Sequence, residues 1–318
     1  MSRRLEGKVA VVTGSGRGIG RAYAHALAAE GAKIVVNDTG GEVDGTGHSQ
    51  SPADAVAREI TELGGEAVAD YSNIADFRGA EQVMQTATAN FGRLDILIAN
   101  SGNIRMAMLD EATEADWGDV LGTHTNGTFN CIRHASPLMK QQGGGTIVTV
   151  GDITQGLHYP RLAAYRAAKA AILVLSNYAA AELQEFNINV NSVFPGSTST
   201  RMAQAYFESL GDKTESFLAD AAEYARVDSD GGSPAPPATV PPIGVYLCTD
   251  EGRSITGRSF IMDGVEIGLA TTRSDLTFLA PPADTWTTGD LIAHIPDWLA
   301  DADSQRTAAR TSAACSTS

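Results

Sequence analysis

The stretch TGSGRGIG, residues 13–20, decides the fold of this chain. It follows an apolar, β-branched run, KVAVVT (8–13), and opens an alanine-rich stretch, RAYAHALAAEG (21–31). Glycines in such a turn let the backbone approach a pyrophosphate closely, and the N-terminus of the following helix meets its negative charge. Strand, glycine-rich turn and helix in this order predict a dinucleotide-binding site at the end of the first strand.

The same alternation of short Val/Ile-rich runs and longer helical stretches continues along the chain. Further strands are predicted at KIVVND (33–38), EAVADY (66–71), LDILIAN (94–100), GTIVTVG (145–151) and NINVNSVFPG (187–196). Near-continuous apolar strands separated by helices are typical of a parallel sheet covered by helices on both faces. We therefore predict an α/β fold with a doubly wound, Rossmann-type parallel sheet in a single domain.

The predicted domain spans residues 5–268 and is followed by a C-terminal extension, residues 269–318. Residues 200–240 are predicted to form a helical cover over the substrate, ending in a Pro/Gly-rich loop at 229–242. The extension is polar and predicted to be partly disordered, with one short amphipathic candidate at 287–301.

Composition and charge exclude several classes of partner. The 318 residues carry a net charge of −15, which argues against binding to nucleic acid or to an anionic membrane surface. The three cysteines, Cys131, Cys248 and Cys315, show no CxxC spacing, so neither a disulfide framework nor a metal site is predicted. The start of the sequence has no apolar segment long enough for a signal peptide or a membrane span, and the expected location is cytoplasmic.

An acidic residue at the end of the second predicted strand bears on the choice of cofactor. Asp38 lies about 20 residues after the glycine-rich turn, where a carboxylate can accept hydrogen bonds from the adenosine ribose. A carboxylate there would repel a 2′-phosphate, so NAD(H) is favoured over NADP(H). Arg17 in the turn could partly offset that charge.

A tyrosine and a lysine lie four residues apart in LAAYRAAKAA (162–171). On a helix, this spacing places Tyr165 and Lys169 on one face. A nearby ammonium stabilises a phenolate and brings a group with a pKa of about 10 closer to the working pH. The pair is therefore a candidate for general acid/base chemistry.

Taken together, these motifs resemble the short-chain dehydrogenase/reductase family over roughly residues 5–268. The matching features, in the family's order and spacing, are TGSGRGIG, Asp70 after the third strand, ANSG (99–102), Tyr165 with Lys169, and PGSTST (195–200). Within the family the chain looks most like the (3R)-hydroxyacyl-CoA dehydrogenase part of peroxisomal multifunctional enzymes and its bacterial relatives. That likeness depends on the glycine-rich stretch VVNDTGGEVDGTGHSQSPADAVAREI and on the C-terminal TTGDL.

The resemblance implies roles for individual residues. The tyrosine would carry a proton to or from the substrate oxygen, and the lysine would bind the ribose hydroxyls and lower the tyrosine pKa. Asp70 would contact the adenine, and Asn100 and Gly102 would line the cofactor cleft. The complete set expected to bind the cofactor is Gly14, Arg17, Gly18, Ile19, Gly20, Asp38, Asp70, Asn100, Gly102, Tyr165, Lys169, Pro195, Gly196 and Thr200.

The sequence departs from the family pattern at two positions. The family usually has a serine thirteen residues before the tyrosine, and here that position is Asp152. If the loop is shorter than usual, Thr154 could supply the hydroxyl instead. His124 stands where an asparagine usually supports the proton relay, and Asn126 is a weaker candidate for that relay.

Three accounts of Asp152 follow from its chemistry. An ionised carboxylate cannot donate to a carbonyl and would repel the negative charge of an alkoxide. Asp152 is therefore protonated by desolvation and donates, or points away while Thr154 acts, or is ionised and pairs with a cation such as an iminium. An aspartate in the loop with no catalytic part is a further reading.

We predict an NAD(H)-dependent oxidoreductase of an alcohol/carbonyl pair, with Tyr165 as general acid/base, Lys169 as its electrostatic partner and His124 as a relay. One alternative is oxidoreduction of a cyclic imine or iminium with Asp152 as counter-ion. A second is a catalytically idle, nucleotide-binding relative. The expected partner is a small-molecule substrate. The resemblance also implies association with further copies of the chain, as a homodimer or homotetramer formed through the helices of residues 113–138 and 159–185.

Overall fold

The computed structural model describes residues 3–152, 160–211 and 234–270. Several predictions concern residues outside these ranges. These are Thr154, Cys315, the middle of the predicted cover (212–233), and the extension from residue 271 onward, with its amphipathic candidate and TTGDL. The chain divides into two units, Met1–Ala270 and Thr271–Ser318, and the second lies wholly outside the described residues. Among the described residues, no helix is long and apolar enough to cross a membrane.

Eight strands form one sheet within the described residues. They are β1 Val9–Thr13, β2 Lys33–Asn37, β3 Ala67–Asp70, β4 Ile96–Ala99, β5 Gly145–Val150, β6 Ile188–Pro195, β7 Ser259–Asp263 and β8 Glu266–Ala270. Their order across the sheet is β3-β2-β1-β4-β5-β6-β7-β8. Pairing is parallel from β3 through β7, and β8 is antiparallel to β7. The doubly wound parallel sheet predicted from the sequence is confirmed.

The helices connect consecutive strands, as the alternating pattern predicts. They are α1 Gly18–Ala29, α2 Ser51–Glu62, α3 Phe77–Phe91, α4 Glu114–Leu121, α5 Gly127–Gln141, α6 Ala163–Leu183, α7 Arg201–Leu210 and α8 Pro241–Cys248. A π-helical segment, Gly122–Asn126, joins α4 to α5. Short 3-10 turns occupy Gln184–Phe186 and Pro237–Thr239.

Alternate residues of the central strands face opposite layers of helices. In β1, Ala10 and Val12 belong to the core under α1, α2 and α8, whereas Val9 and Val11 belong to the core under α3, α5 and α6. All four side chains are essentially fully buried. Because both faces of the sheet are covered, residues 9–12 of the strand are all apolar instead of alternating with polar residues.

The strand order creates a crevice at the point where the connections that follow neighbouring strands leave the sheet toward opposite faces. β1 pairs with β2 on one side and with β4 on the other, so the loops that follow β1 and β4 diverge to opposite faces. In open α/β sheets, ligands bind at this point, outside the carboxyl ends of the strands. The glycine-rich turn after β1 lies there.

Two local structures differ from what the sequence pattern suggests. The stretch Glu266–Ala270 adds an antiparallel edge strand. The described part of the Pro/Gly-rich loop, from residue 234, is a 3-10 turn followed by α8, which begins at Pro241. Proline suits the first turn of a helix because that position needs no amide hydrogen.

Candidate active site

The glycine-rich turn brings two backbone segments into contact. Gly14 has a φ of 62°, in the left-handed region that favours glycine. A Cβ on Gly14 would lie 2.8 Å from the Cα of Ser101, and a Cβ on Gly20 would lie 2.2 Å from the carbonyl oxygen of Gly14. Both positions therefore admit only glycine without movement of the backbone.

The N-terminus of α1 opens onto the cavity beside this turn. Among the described residues, Arg17 at the N-cap provides no side-chain hydrogen bond to the helix, and the first turn contains no acidic residue. The amides of such a first turn carry partial positive charge. This cradle fits the pyrophosphate of a dinucleotide, and the residues that would hold it are Gly14, Arg17, Gly18, Ile19 and Gly20.

The Asp38 carboxylate is fixed at the end of β2 by backbone amides. Its Oδ2 accepts from the Gly16 amide at 2.8 Å, and its Oδ1 accepts from the Gly40 amide at 2.6 Å. The Arg17 guanidinium donates to the Gly41 carbonyl oxygen at 3.2 Å. The carboxylate is therefore placed at the expected adenosine end, while the described hydrogen bond of Arg17 goes to the backbone.

Asp70 and Asn100 organise the walls of the crevice. Asp70 is buried and accepts from the Asn37 side-chain amide at 2.9 Å and from the Thr86 hydroxyl at 2.6 Å. The residues that follow Asp70, and not Asp70 itself, line the described part of the cavity, so its contact with adenine stays a prediction. The Asn100 side-chain amide donates to the Gly14 carbonyl oxygen at 3.1 Å and fixes the glycine-rich turn.

The segment after β6 forms the opposite wall. A Cβ on Gly196 would lie 2.2 Å from Oδ1 of Asp263, so a larger residue here would require the Asp263 side chain to move. Thr200 begins α7, and its hydroxyl accepts from the Ala203 amide at 3.2 Å. Pro195, Gly196 and Thr200, which the resemblance includes in the cofactor-binding set, all line the cavity.

Tyr165 and Lys169 lie on the first turns of α6 and face the same cavity. The Lys169 Nζ lies 5.6 Å from the centre of the Tyr165 ring and donates to the Val150 carbonyl oxygen at 2.8 Å. Burial lowers the pKa of Lys169 to about 8; Asp152 raises it and Arg166 lowers it further. Lys169 is thus buried beside the Tyr165 ring, and the two residues share one face of α6, as the spacing predicts.

His124 reaches the site from the π-helical segment. Its ring lies edge-on to the Tyr165 ring, with centroids 5.3 Å apart and planes at 90°. Its Nε2 lies 2.8 Å from the Asn103 carbonyl oxygen, while its Nδ1 has no hydrogen-bond partner among the described residues. Burial, together with the charge of Lys169, lowers the pKa of His124 to about 3, so the ring is neutral. A Cβ on Gly102 would lie 2.5 Å from the His124 ring, so glycine makes room for it.

Asp152 forms an ion pair with Arg166, which no local sequence pattern predicts. Its Oδ2 lies 3.0 Å from Nη1 of Arg166, and the two side chains are only 21% and 17% exposed. Both line the same cavity as Tyr165. A guanidinium at this distance favours the ionised carboxylate, which cannot donate a hydrogen bond. Of the three accounts, the ion pair agrees with the one in which Asp152 is ionised, and the cation belongs to the chain itself.

A loop after β2 lines the cavity and contacts two other segments that line it. The Val43 carbonyl oxygen accepts from the Ile104 amide at 3.0 Å, which ties the loop to the segment after β4. Glu42 lies 3.7 Å from Arg201 of α7, across the cavity. The glycine-rich pattern of this stretch contributes to the family resemblance but does not by itself place its residues in the site.

The turn, the strand ends and α6 enclose a cavity of about 1060 Å³. Of the predicted site residues that the structure describes, all line it except Asp70 and the weaker relay candidate Asn126. A crevice at the switch point of a doubly wound sheet, with a glycine cradle at one end and a tyrosine beside a buried lysine at the other, defines a dinucleotide-binding enzyme of the Rossmann class.

Comparison with known proteins identifies the family. A sequence model of the short chain dehydrogenases matches residues 8–211. The chain belongs to the short-chain dehydrogenase/reductase family and is an oxidoreductase of that family. Members of this family use a nicotinamide cofactor.

Several individual proteins are similar to this chain. It is 43% identical over 196 residues to the peroxisomal multifunctional enzyme type 2 of Drosophila melanogaster, covering 62% of this chain and 32% of that protein. It is 33% identical over 257 residues to the 3-oxoacyl-(acyl-carrier-protein) reductase FabG of Staphylococcus aureus, covering 81% of this chain and 97% of that protein. The crystal structure of a short chain dehydrogenase from Mycobacterium avium superposes with a TM-score of 0.75 at 33% identity, covering 93% of this chain and 96% of that one. The chain thus spans about a third of the multifunctional relative and nearly all of the reductase.

Proposed function

We propose that the chain catalyses NAD(H)-dependent oxidoreduction of an alcohol/carbonyl pair, with Tyr165 as the general acid/base. The observation that carries this proposal is the position of Tyr165 beside the buried Lys169 ammonium, in the cavity that also holds the glycine cradle. When bound, the nicotinamide supplies or accepts the hydride. The protein then has to hold the substrate oxygen and move one proton.

In the reductive direction, the Tyr165 hydroxyl donates its proton to the substrate oxygen as negative charge develops there. The Lys169 ammonium stabilises the phenolate that remains. Its hydrogen bond to the Val150 carbonyl oxygen fixes the amine next to the ring. The neutral His124 ring packs against the edge of Tyr165 and supports its orientation.

The test is NADH oxidation with a panel of ketones and 3-oxoacyl thioesters, the latter because one relative is named as a 3-oxoacyl reductase. Tyr165→Phe removes only the hydroxyl and should lower kcat by about 10³-fold, within the usual range for a general acid. Tyr246→Phe is the matched control, since Tyr246 is exposed on α8 outside this cavity. Equal rates for wild type and Tyr165→Phe would overturn the assignment.

The two alternative functions gain no support from the site geometry. An iminium substrate would meet Asp152 already paired with Arg166. A catalytically idle relative has no need of a buried lysine held beside a tyrosine. Imine reduction that is faster than ketone reduction, or NADH binding without turnover on any panel, would favour one or the other.

We also propose that the chain forms a homodimer or homotetramer and acts in the cytoplasm. Exposed apolar side chains on α4, α5 and α6 support association of copies: Trp117, Phe129, Val174 and Tyr178 are 42%, 48%, 56% and 66% exposed. Sedimentation of the purified chain measures the oligomeric state, and a monomer at micromolar concentration would contradict it.

A further inference from the structure

We propose that Val43, in the loop after β2, is a specificity-determining residue that binds the apolar substituent of the substrate carbonyl. The proposal rests on the proposed function, because it concerns the carbonyl that Tyr165 protonates. It names a class of substrate: ketones whose carbonyl carbon carries an alkyl chain several carbons long.

An apolar wall lies beside Tyr165 in the cavity. Six apolar and aromatic side chains that line the cavity belong to one cluster and form this wall: Val43, Ile104, Leu162, Met202, Tyr206 and Phe207. Ile104, Leu162 and Tyr206 are its buried base. Val43 and Tyr165 both pack against this base. A substrate whose oxygen is held at the Tyr165 hydroxyl therefore meets the wall with the group next to its carbonyl, and burial of apolar surface there favours binding.

The loop after β2 holds Val43 in a defined position. Within the loop, the Glu42 amide donates to the Thr46 carbonyl oxygen at 2.7 Å, and the Gly45 amide donates to the Glu42 carbonyl oxygen at 3.0 Å. The Val43 carbonyl oxygen accepts from the Ile104 amide at 3.0 Å and joins the loop to the segment after β4. A side chain on a backbone fixed in this way loses little further freedom when a substrate binds, so its apolar contact contributes to affinity.

The segment after β4 connects Val43 to the reacting group. Asn103 precedes Ile104, and its carbonyl oxygen lies 2.8 Å from Nε2 of His124. The His124 ring packs edge-on against the Tyr165 ring, with centroids 5.3 Å apart. Because other residues stand between Val43 and Tyr165, Val43 contacts the far part of a long substituent and not the carbonyl itself.

The other side of the apolar wall comes from α7 and the start of α6. The Tyr206 hydroxyl donates to the Pro160 carbonyl oxygen at 3.3 Å. The Arg161 guanidinium donates to the Ser209 carbonyl oxygen at 3.1 Å. These hydrogen bonds tie α7 to the residues that precede α6. The wall is thus assembled from four separate segments of the chain, and Val43 is the contribution of the loop after β2.

The experiment compares butan-2-one, hexan-2-one and octan-2-one, which differ only in the length of the alkyl chain. For wild type, kcat/KM should rise by about fourfold for each added methylene, the value for burying one methylene. Titration calorimetry with the NAD⁺ complex, in which the ketone cannot be reduced, should show affinities that rise in the same order.

The two measurements separate the present proposal from the proposed function. Equal turnover by wild type and Tyr165→Phe would contradict the role of Tyr165 and leave the calorimetric result unaffected. Equal affinities of the NAD⁺ complex for the three ketones would overturn the apolar wall as the binding site of the substituent.

Val43→Ser tests the residue itself, since it replaces the apolar side chain with a hydroxyl group. The ratio of kcat/KM for octan-2-one to that for butan-2-one should fall by about tenfold, chiefly through a higher KM for octan-2-one. Val265→Ser is the matched control and should leave the ratio unchanged. Val265 is exposed between β7 and β8 and does not line the described part of the cavity.

A second variant, Val43→Thr, keeps the branched shape and changes only the polarity of the side chain. The same ratio should fall in this variant by about fivefold. A disturbance of the fold, or a contact of Val43 with the cofactor alone, would lower kcat/KM for the two ketones by a similar factor and leave their ratio unchanged. An unchanged ratio in Val43→Thr would therefore overturn the proposal.

Discussion

The two ends of the cavity are built in different ways. The dinucleotide end is made of backbone: glycines whose Cβ would meet neighbouring main-chain atoms, and a carboxylate held by two backbone amides. The substrate end is made of side chains that converge from β5, α6 and the π-helical segment: Tyr165, Lys169, Asp152, Arg166 and His124. A site built from the backbone can be recognised from the spacing of residues in the sequence. A site built from side chains depends on residues that only the folded chain brings together.

The largest effect expected at the dinucleotide end comes from a single added methyl group. In Gly20→Ala, the new Cβ would lie 2.2 Å from the Gly14 carbonyl oxygen and 2.5 Å from Nδ2 of Asn100. The backbone of the turn must move, so NADH affinity should fall by about 100-fold, equivalent to about 2.7 kcal/mol. Fluorescence titration with NADH measures the affinity.

Gly118→Ala is the control for this substitution. Gly118 lies inside α4, and a Cβ there would have no atom within 4 Å among the described residues. Alanine at that position should leave NADH affinity within about threefold and raise stability by up to about 1 kcal/mol. Tight NADH binding by Gly20→Ala would mean that the close approach of the backbone is not what shapes the cradle.

The fold and the dinucleotide end could be predicted from the sequence because their signals are local. Valine and isoleucine runs mark strands that are covered on both faces, and the glycine-rich turn sits between a strand and a helix. Tyr165 and Lys169 are predictable in the same way, since a spacing of four residues places them on one face of α6.

The remainder of the substrate end carried no such local signal. Asp152 and Arg166 are fourteen residues apart, and a loop and the start of a helix separate them, so only the tertiary fold makes them an ion pair. The only signal in the sequence was that Asp152 and Arg166 carry opposite charges and lie near the Tyr165/Lys169 pair. The π-helical segment, which sets the direction of His124, arises from the hydrogen-bond register of the backbone and has no residue signature.

At the substrate end, the free energy of unfolding should depend on pH because Lys169 is buried. Its pKa is lowered from 10.5 to about 8, chiefly by burial. Between these values, the folded protein has released a proton that the unfolded chain still binds, so stability rises with pH. Below about pH 8 the burial of the charged amine lowers the free energy of unfolding by its full amount, and above pH 10.5 this destabilisation is absent.

Lys169→Met removes this titration. From pH 8 to pH 9.5, the free energy of unfolding of wild-type, cofactor-free protein should rise by about 2 kcal/mol relative to Lys169→Met. Urea denaturation at each pH measures the difference. Lys140→Met, which removes an exposed lysine of α5, should give a curve parallel to that of wild type. Parallel curves for wild type and Lys169→Met would mean that the amine titrates in the folded protein as it does in the unfolded chain.

The smallest of these effects tests whether the fixed carboxylate at the adenosine end selects the cofactor. Asp38 accepts from the Gly16 and Gly40 amides. Asp38→Asn keeps the shape and an acceptor oxygen but removes the negative charge, which would repel a 2′-phosphate. The ratio of kcat/KM for NADPH to that for NADH should rise by about tenfold, equivalent to about 1.4 kcal/mol. Asp44→Asn, an exposed position in the same loop, is the control and should leave the ratio unchanged. An unchanged ratio in Asp38→Asn would mean that this charge does not decide between the two cofactors, and that the backbone and not the carboxylate sets the preference at this end of the cavity.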